Sequence, residues 1–143
     1  MSDQMLKLLI GGVLLVHGLG HGGALGALLW IRFRPGSNTG DWAAARTWLM
    51  PSLPAETATT LASAFWIAAL VGFVVAALSF WGVLLPADVW TPVAVGSAVV
   101  SMIGVVLFIG TWPAFNTIAA LAVNVAVLVA AWIHWPPQSV FGG

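Results

Sequence analysis

Four stretches of this sequence are each long and apolar enough to cross a lipid bilayer as a helix. A helical span of the hydrocarbon core needs about 20 apolar residues, and the stretches lie at about 5–31, 57–83, 88–110 and 113–135. The last of them stops before two consecutive prolines, which cannot continue a helix. We therefore predict an all-α membrane protein with four transmembrane helices in an up-down bundle, forming a single domain over residues 1–143.

Charged side chains are too scarce for a water-exposed surface. The chain has four Lys or Arg and four Asp or Glu, 6% of its 143 residues, whereas about a quarter of a soluble domain is charged. None of the eight lies between Val89 and Gly143. The net charge is zero and no basic run occurs, so we expect no nucleic-acid partner. The absence of cysteine excludes thiolate metal ligands and disulfide exchange.

Tryptophan placement supports the same four spans independently. Indole rings prefer the headgroup region of a bilayer. Only Trp66 lies well inside a predicted span. Six others fall near the ends of the predicted spans: Trp30, Trp81, Trp90, Trp112, Trp132 and Trp135.

The longest connection, residues 32–56, predicts the orientation of the protein. It contains three of the four basic residues, and basic loops face the cytoplasm. We therefore expect this loop to be cytoplasmic and both termini to lie on the opposite side. Within it, the segment Asp41–Leu49 places Trp42, Ala45 and Leu49 on one helical face, which predicts a short interfacial helix on the membrane surface.

Small residues recur every four positions along three of the predicted helices. Such stripes let helix backbones approach closely in lipid, where no hydrophobic force drives helices together. They predict packing seams, either within the bundle or between copies of the chain in a homo-oligomer. The residues concerned are Gly18, Gly22 and Gly26 in the first helix, Ala64, Ala68, Gly72 and Ala76 in the second, and Ala122, Ala126 and Ala130 in the fourth.

Two histidines, His17 and His21, lie near the middle of the first span. Residues at i and i+4 are about 40° apart around a helix, so both rings can point the same way. Ionisable residues at that depth are costly and suggest a site. Asn124 lies at a similar depth in the fourth span, and we expect it to face one of the two histidines.

Four interpretations of the histidine pair follow from its chemistry. Two imidazoles one turn apart can bind a metal ion, although further ligands would have to come from elsewhere. One histidine could instead be the axial ligand of a tetrapyrrole such as haem or chlorophyll. Because histidine changes charge near neutral pH, the pair could line a proton or solute path. Finally, neutral imidazoles can simply hydrogen-bond between helices.

The segment His17–His21 resembles the His-Glu-x-Gly-His helix of intramembrane zinc peptidases over five residues. Gly18 stands where that family has its glutamate base, and no acidic residue in another span corresponds to its distal aspartate ligand. Without the base and the third ligand, zinc-dependent peptide hydrolysis cannot proceed as it does in that family. We therefore predict no protease activity.

No catalytic group accompanies these residues, so the sequence favours a non-catalytic role. We predict a small integral membrane protein that serves as a subunit or assembly component of a larger membrane complex. Its expected partners are the lipid bilayer and other membrane subunits or further copies of itself. The first alternative is a cofactor-binding membrane protein using His17 and His21, with Asn124 as their partner. The second is a small homo-oligomeric transporter or channel.

Overall fold

The structure is a computed structural model that describes residues 2–33, 45–136 and 140. It contains four long helices, α1 (Asp3–Phe33), α2 (Ala55–Phe80), α3 (Trp90–Leu107) and α4 (Ala114–Trp132). All four are long and apolar enough to span a membrane, and the described ranges contain no strand. The prediction of an all-helical protein with four candidate spans is confirmed. Each helix end lies within three residues of its predicted position.

Prolines mark the beginnings of three helices. Pro54 and Pro113 occupy the N-cap positions of α2 and α4, and Pro92 lies in the first turn of α3. The first N–H groups of a helix have no intrahelical acceptor, so proline loses nothing there. A single 3₁₀ turn, Ala87–Val89, leads into α3.

A left-handed residue follows the end of α2 and of α4. Gly82, after α2, has φ +73°, and His134, after α4, has φ 54°. The N–H of Trp135 donates to the carbonyl of Ala130 at 2.8 Å, which is the closing bond of a Schellman turn. The fourth helix therefore ends at Trp132, before the prolines that the sequence suggested as its limit.

The helices pack in chain order, α1 on α2, α2 on α3 and α3 on α4. Gly11 lies against the indole of Trp81 and Gly18 against Phe73, so α1 and α2 run antiparallel. Trp81 also donates its indole N–H to the carbonyl of Lys7 at 3.2 Å. At the α2–α3 contact Gly72 lies against Ser97.

Buried apolar residues form one cluster toward each end of the helices. The first cluster includes Leu14, Phe73 and Phe80 together with Trp90 from α3. The second surrounds Trp66, which is 1% exposed. It includes Leu28, Ala45, Ala58, Ala62 and Phe108.

The small-residue stripes lie in different surroundings along their length. Gly18 is the most confined, since an added Cβ would lie 3.0 Å from Cβ of Phe73 and 3.2 Å from the carbonyl oxygen of Leu70. Gly22 also faces Leu70, whereas a Cβ at Gly26 would meet nothing within 4 Å. In α2, Gly72 contacts Ser97 and Ala76 is fully buried. Two residues of that stripe are exposed: Ala64 and Ala68.

Two finer expectations are not confirmed. A closed up-down bundle would pack α1 along α4, but in the described chain these helices have no contact as extensive as those between sequential neighbours. The predicted interfacial helix at 41–49 lies partly outside the described residues, including Trp42. Residues 45–50 are irregular rather than helical. There Ala45 is buried and donates its N–H to Oγ1 of Thr59 at 3.2 Å. The sidedness of loop and termini stays a prediction.

Candidate binding site

A cleft of about 820 Å³ lies between α1 and α4. Residues of α1 from Leu8 to Ala27 line one wall, and residues of α4 from Asn116 to Val123 line the other. At 1.5 Å per residue the α1 wall is roughly 28 Å long, about the thickness of the hydrocarbon core. Aromatic side chains from α2 and from the connection between α3 and α4 add to its lining, namely Trp66, Phe108 and Trp112.

Both His17 and His21 line this cleft, and each is hydrogen-bonded to another helix. Nε2 of His17 lies 3.0 Å from Oδ1 of Asn124 on α4. Nε2 of His21 lies 2.9 Å from Oγ of Ser101 on α3. Nδ2 of Asn124 donates to the same Ser101 oxygen at 2.8 Å. The four side chains therefore form one continuous network across three helices.

Burial makes this network structurally important. Asn124 and Ser101 are 0% exposed and His21 is 6% exposed. A buried polar group without a partner costs about 1–3 kcal/mol, and here each of the four has at least one partner. The structure thus places Asn124 beside His17 as a partner across the molecule.

The second helix contributes Phe73, an aromatic side chain that packs near both imidazole rings. The ring of Phe73 packs edge-on against His17 with centroids 4.6 Å apart, and lies parallel to the ring of His21 at 6.3 Å. The two imidazoles are themselves 5.0 Å apart at 77°. Aromatic contacts of this kind favour defined ring orientations. Phe73 thereby helps to hold both imidazoles in defined orientations.

The second nitrogen of each imidazole is left for other partners. Because Nε2 of each ring is bonded within the network, only Nδ1 of His17 and His21 can bond elsewhere. Neither Nδ1 is among the buried polar atoms that lack a partner in the described chain. Both histidines line the cleft. The site offers a ligand two imidazole rings whose centroids lie 5.0 Å apart, in an otherwise largely apolar cleft.

Metal ligation fits this arrangement less well than hydrogen bonding. The described residues hold no group of three or more histidine, cysteine or acidic side chains that could share an ion. A metal bound by both Nδ1 atoms would require both Nε2 atoms to carry protons. Ser101 would then receive two donors, from Asn124 and His21, and its own hydroxyl proton would have no acceptor in the network. Ligation of a haem or chlorophyll by His17 or His21 stays a prediction.

Ser101 is the member of the network that sequence reasoning does not identify. A serine in a membrane helix usually donates to a backbone carbonyl of its own helix. Ser97 does so, donating to the carbonyl of Val93 at 2.7 Å, and so do Ser63 and Ser79. Ser101 instead bonds the side chains of Asn124 and His21.

Other polar residues lie apart from the network. His134 is exposed in the turn that ends α4. Asn116 lines the cleft but is exposed, near the beginning of α4. Thr117 also lines the cleft and is 9% exposed. Neither takes part in the hydrogen bonds that join His17, Asn124, Ser101 and His21.

Comparison with known protein families, with curated proteins and with solved structures finds no match to this chain.

Proposed function

We propose that this chain is a non-catalytic integral membrane protein that binds one small lipid-soluble molecule in the cleft between α1 and α4. The observation that carries the proposal is the combination of an elongated cavity of about 820 Å³ with two convergent imidazoles. Ligand sites are typically 300–1,000 Å³, mostly apolar and provided with a few placed polar groups. The proposal develops the cofactor-binding alternative, with hydrogen bonds in place of metal ligation.

Entry from the bilayer suits the open wall of α1. An added Cβ at Gly12, Gly20 or Gly23 would meet nothing within 4 Å, and all three glycines line the cleft. Because glycine has no side chain, these positions leave the cleft open beside the histidines. A ligand dissolved in the hydrocarbon could therefore reach His17 and His21 without crossing the water phase.

The binding role is preferred to the subunit role for a physical reason. The exposed apolar surface of α4, including Ile118 and Val125, is what any lipid-facing helix presents. It therefore gives no evidence for a protein partner. Buried polar groups that converge on a cavity are instead unusual at mid-membrane and have to be accounted for.

Filling the cleft tests the proposal. The experiment is native mass spectrometry of protein extracted from its native membrane in mild detergent. We expect a reproducible small-molecule adduct on the wild type and its loss in Gly20→Leu, because the new side chain occupies the cleft beside the histidines. Gly26→Leu is the matched control, since Gly26 also has open space beside it but does not line the cleft.

Two results would contradict this proposal. An adduct that survives in Gly20→Leu at the wild-type level would lie somewhere other than this cleft. A wild-type protein that carries no small molecule but co-purifies with other polypeptides would favour the subunit role instead.

A further inference from the structure

We infer that the molecule bound in this cleft carries a hydroxyl group, which bridges Nδ1 of His17 and Nδ1 of His21. This inference rests on the proposed function and specifies the chemical class of the ligand, an apolar molecule with one alcohol group. It follows from the direction in which protons can be arranged along the network.

The network is directional because serine has only one proton to donate. With Nδ2 of Asn124 donating to Oγ of Ser101, the hydroxyl proton of Ser101 goes to Nε2 of His21. At the other end, Oδ1 of Asn124 accepts from Nε2 of His17. His17 then carries its proton on Nε2 and leaves Nδ1 as an acceptor. His21 carries its proton on Nδ1, which is a donor.

Rotating the amide of Asn124 by 180° reverses every bond but preserves the outcome. The amide nitrogen then donates to Nε2 of His17, the amide oxygen accepts the proton of Ser101, and Nε2–H of His21 donates to the serine oxygen. His17 now presents a donor at Nδ1 and His21 an acceptor. Both fully bonded arrangements present one donor and one acceptor, on histidines whose ring centroids are 5.0 Å apart.

A hydroxyl group matches that pair better than other polar groups of apolar molecules. Its proton bonds the bare Nδ1 and its oxygen accepts from the protonated Nδ1. Ethers and ketones can only accept, so they would leave the acceptor imidazole without a partner, at a cost. A carboxylate would bring a charge into a cleft whose lining contains no Lys or Arg, which is strongly disfavoured at this depth.

The first part of the test is the tautomer state of the histidines, read from imidazole ¹⁵N NMR of the full chain in nanodiscs. We expect opposite tautomers for His17 and His21, one protonated on Nε2 and the other on Nδ1. Ser101→Ala should remove the coupling and change the spectrum of His21, whereas Ser97→Ala should leave both rings unchanged because Ser97 bonds its own helix. Identical tautomers in the wild type would overturn the inference.

The second part compares three probes with similar apolar bodies: 1-decanol, decyl methyl ether and decane. We expect 1-decanol to shift both Nδ1 resonances and to bind roughly fivefold to tenfold more tightly than the ether, as the loss of one hydrogen bond implies. In Ser101→Ala the difference between alcohol and ether should shrink, while in Ser97→Ala it should persist. Equal binding of alcohol and ether by the wild type would overturn the hydroxyl assignment.

The outcomes separate this inference from the proposed function. If alcohol and ether bind equally but Gly20→Leu abolishes both, the cleft is a binding site without hydroxyl selectivity. If no probe binds while the native adduct still depends on Gly20, the site is real and its ligand is not a simple alcohol. If neither the probes nor the native adduct respond to Gly20→Leu, the proposed function itself has failed.

Discussion

The first helix meets its two neighbours in opposite ways. Toward α2, glycines allow close contact, and Gly18 approaches the backbone of Leu70 and Val74 so nearly that an added Cβ would lie within 3.3 Å of each. Toward α4, the hydrogen bond between His17 and Asn124 lies beside a cleft of about 820 Å³. The first contact is a dry surface that leaves no room, whereas the second is a polar link beside a large space.

This difference shows how helices in lipid can be held at two separations. Because lipid tails are as apolar as side chains, helix association depends on close packing and on hydrogen bonds between helices. Small residues bring backbones together, and longer polar side chains connect helices that stay apart. The α1–α2 contact uses the first means and the α1–α4 contact uses the second. A cleft persists where only the second is available.

The largest expected effect tests whether the contact between α1 and α2 supplies most of the free energy of unfolding. Phe73→Ala should lower the free energy of unfolding by about 2 kcal/mol. In water-soluble proteins such a substitution costs about 3–5 kcal/mol, partly because the phenyl ring is exposed to water on unfolding and partly because a cavity is left in the fold. In detergent or lipid the unfolded helices stay in an apolar environment, so mainly the cavity cost applies. Phe115→Ala, on a side chain that is 79% exposed, should have almost no effect. Unfolding in mixed micelles with increasing denaturing detergent measures both.

Equal losses in the two phenylalanine variants would contradict the assignment of the core to the α2 side. Phe73 is 0% exposed, packs edge-on against His17 and lies parallel to the ring of His21, so its loss should also loosen the histidine pair. A change in the imidazole spectrum of Phe73→Ala, absent from Phe115→Ala, would show this second consequence.

A smaller effect compares two glycines on the two sides of α1. Gly18→Ala should lower the free energy of unfolding by about 1 kcal/mol, since the new methyl group would crowd backbone atoms that cannot move aside. Gly20→Ala should be neutral or stabilising by up to about 1 kcal/mol, because its Cβ meets open space and alanine favours a helix. Thermal unfolding midpoints in detergent distinguish them. A Gly18→Ala variant as stable as Gly20→Ala would mean that α1 and α2 are not in close contact.

The extent to which the sequence predicted this arrangement differs between fold and site. The four spans follow from length and hydropathy, because lipid leaves a helix no other way to satisfy its backbone. The depth of His17 and Asn124 follows from counting along the spans, so their proximity could be expected. The rotation of α3 about its axis could not be predicted from the sequence, because the faces of an apolar helix differ little in composition. Ser101 and Ser97 are therefore indistinguishable by sequence, although only Ser101 joins the network.

The cleft was also beyond the reach of sequence reasoning. The cleft arises from the distance between α1 and α4, and no pattern of residues in the sequence predicts that distance. Gly12, Gly20 and Gly23 were the available signal, since they lie outside the four-residue stripe of Gly18 and Gly22. Glycines off a packing stripe can mark an open wall rather than a contact.

An effect of about the same size as that of Gly18→Ala tests the hydrogen-bonded link between α1 and α4. Asn124→Leu keeps a side chain of similar size but removes the bonds to His17 and Ser101. Hydrogen bonds between membrane helices average about 0.6 kcal/mol each, so the loss should be about 1 kcal/mol. Asn116→Leu is the matched control, because Asn116 is exposed on the same helix. Denaturing-detergent titration measures both. If Asn124→Leu were as stable as the wild type, packing on α3 alone would hold α4 in place. The network would then orient the histidines in the cleft without stabilising the fold.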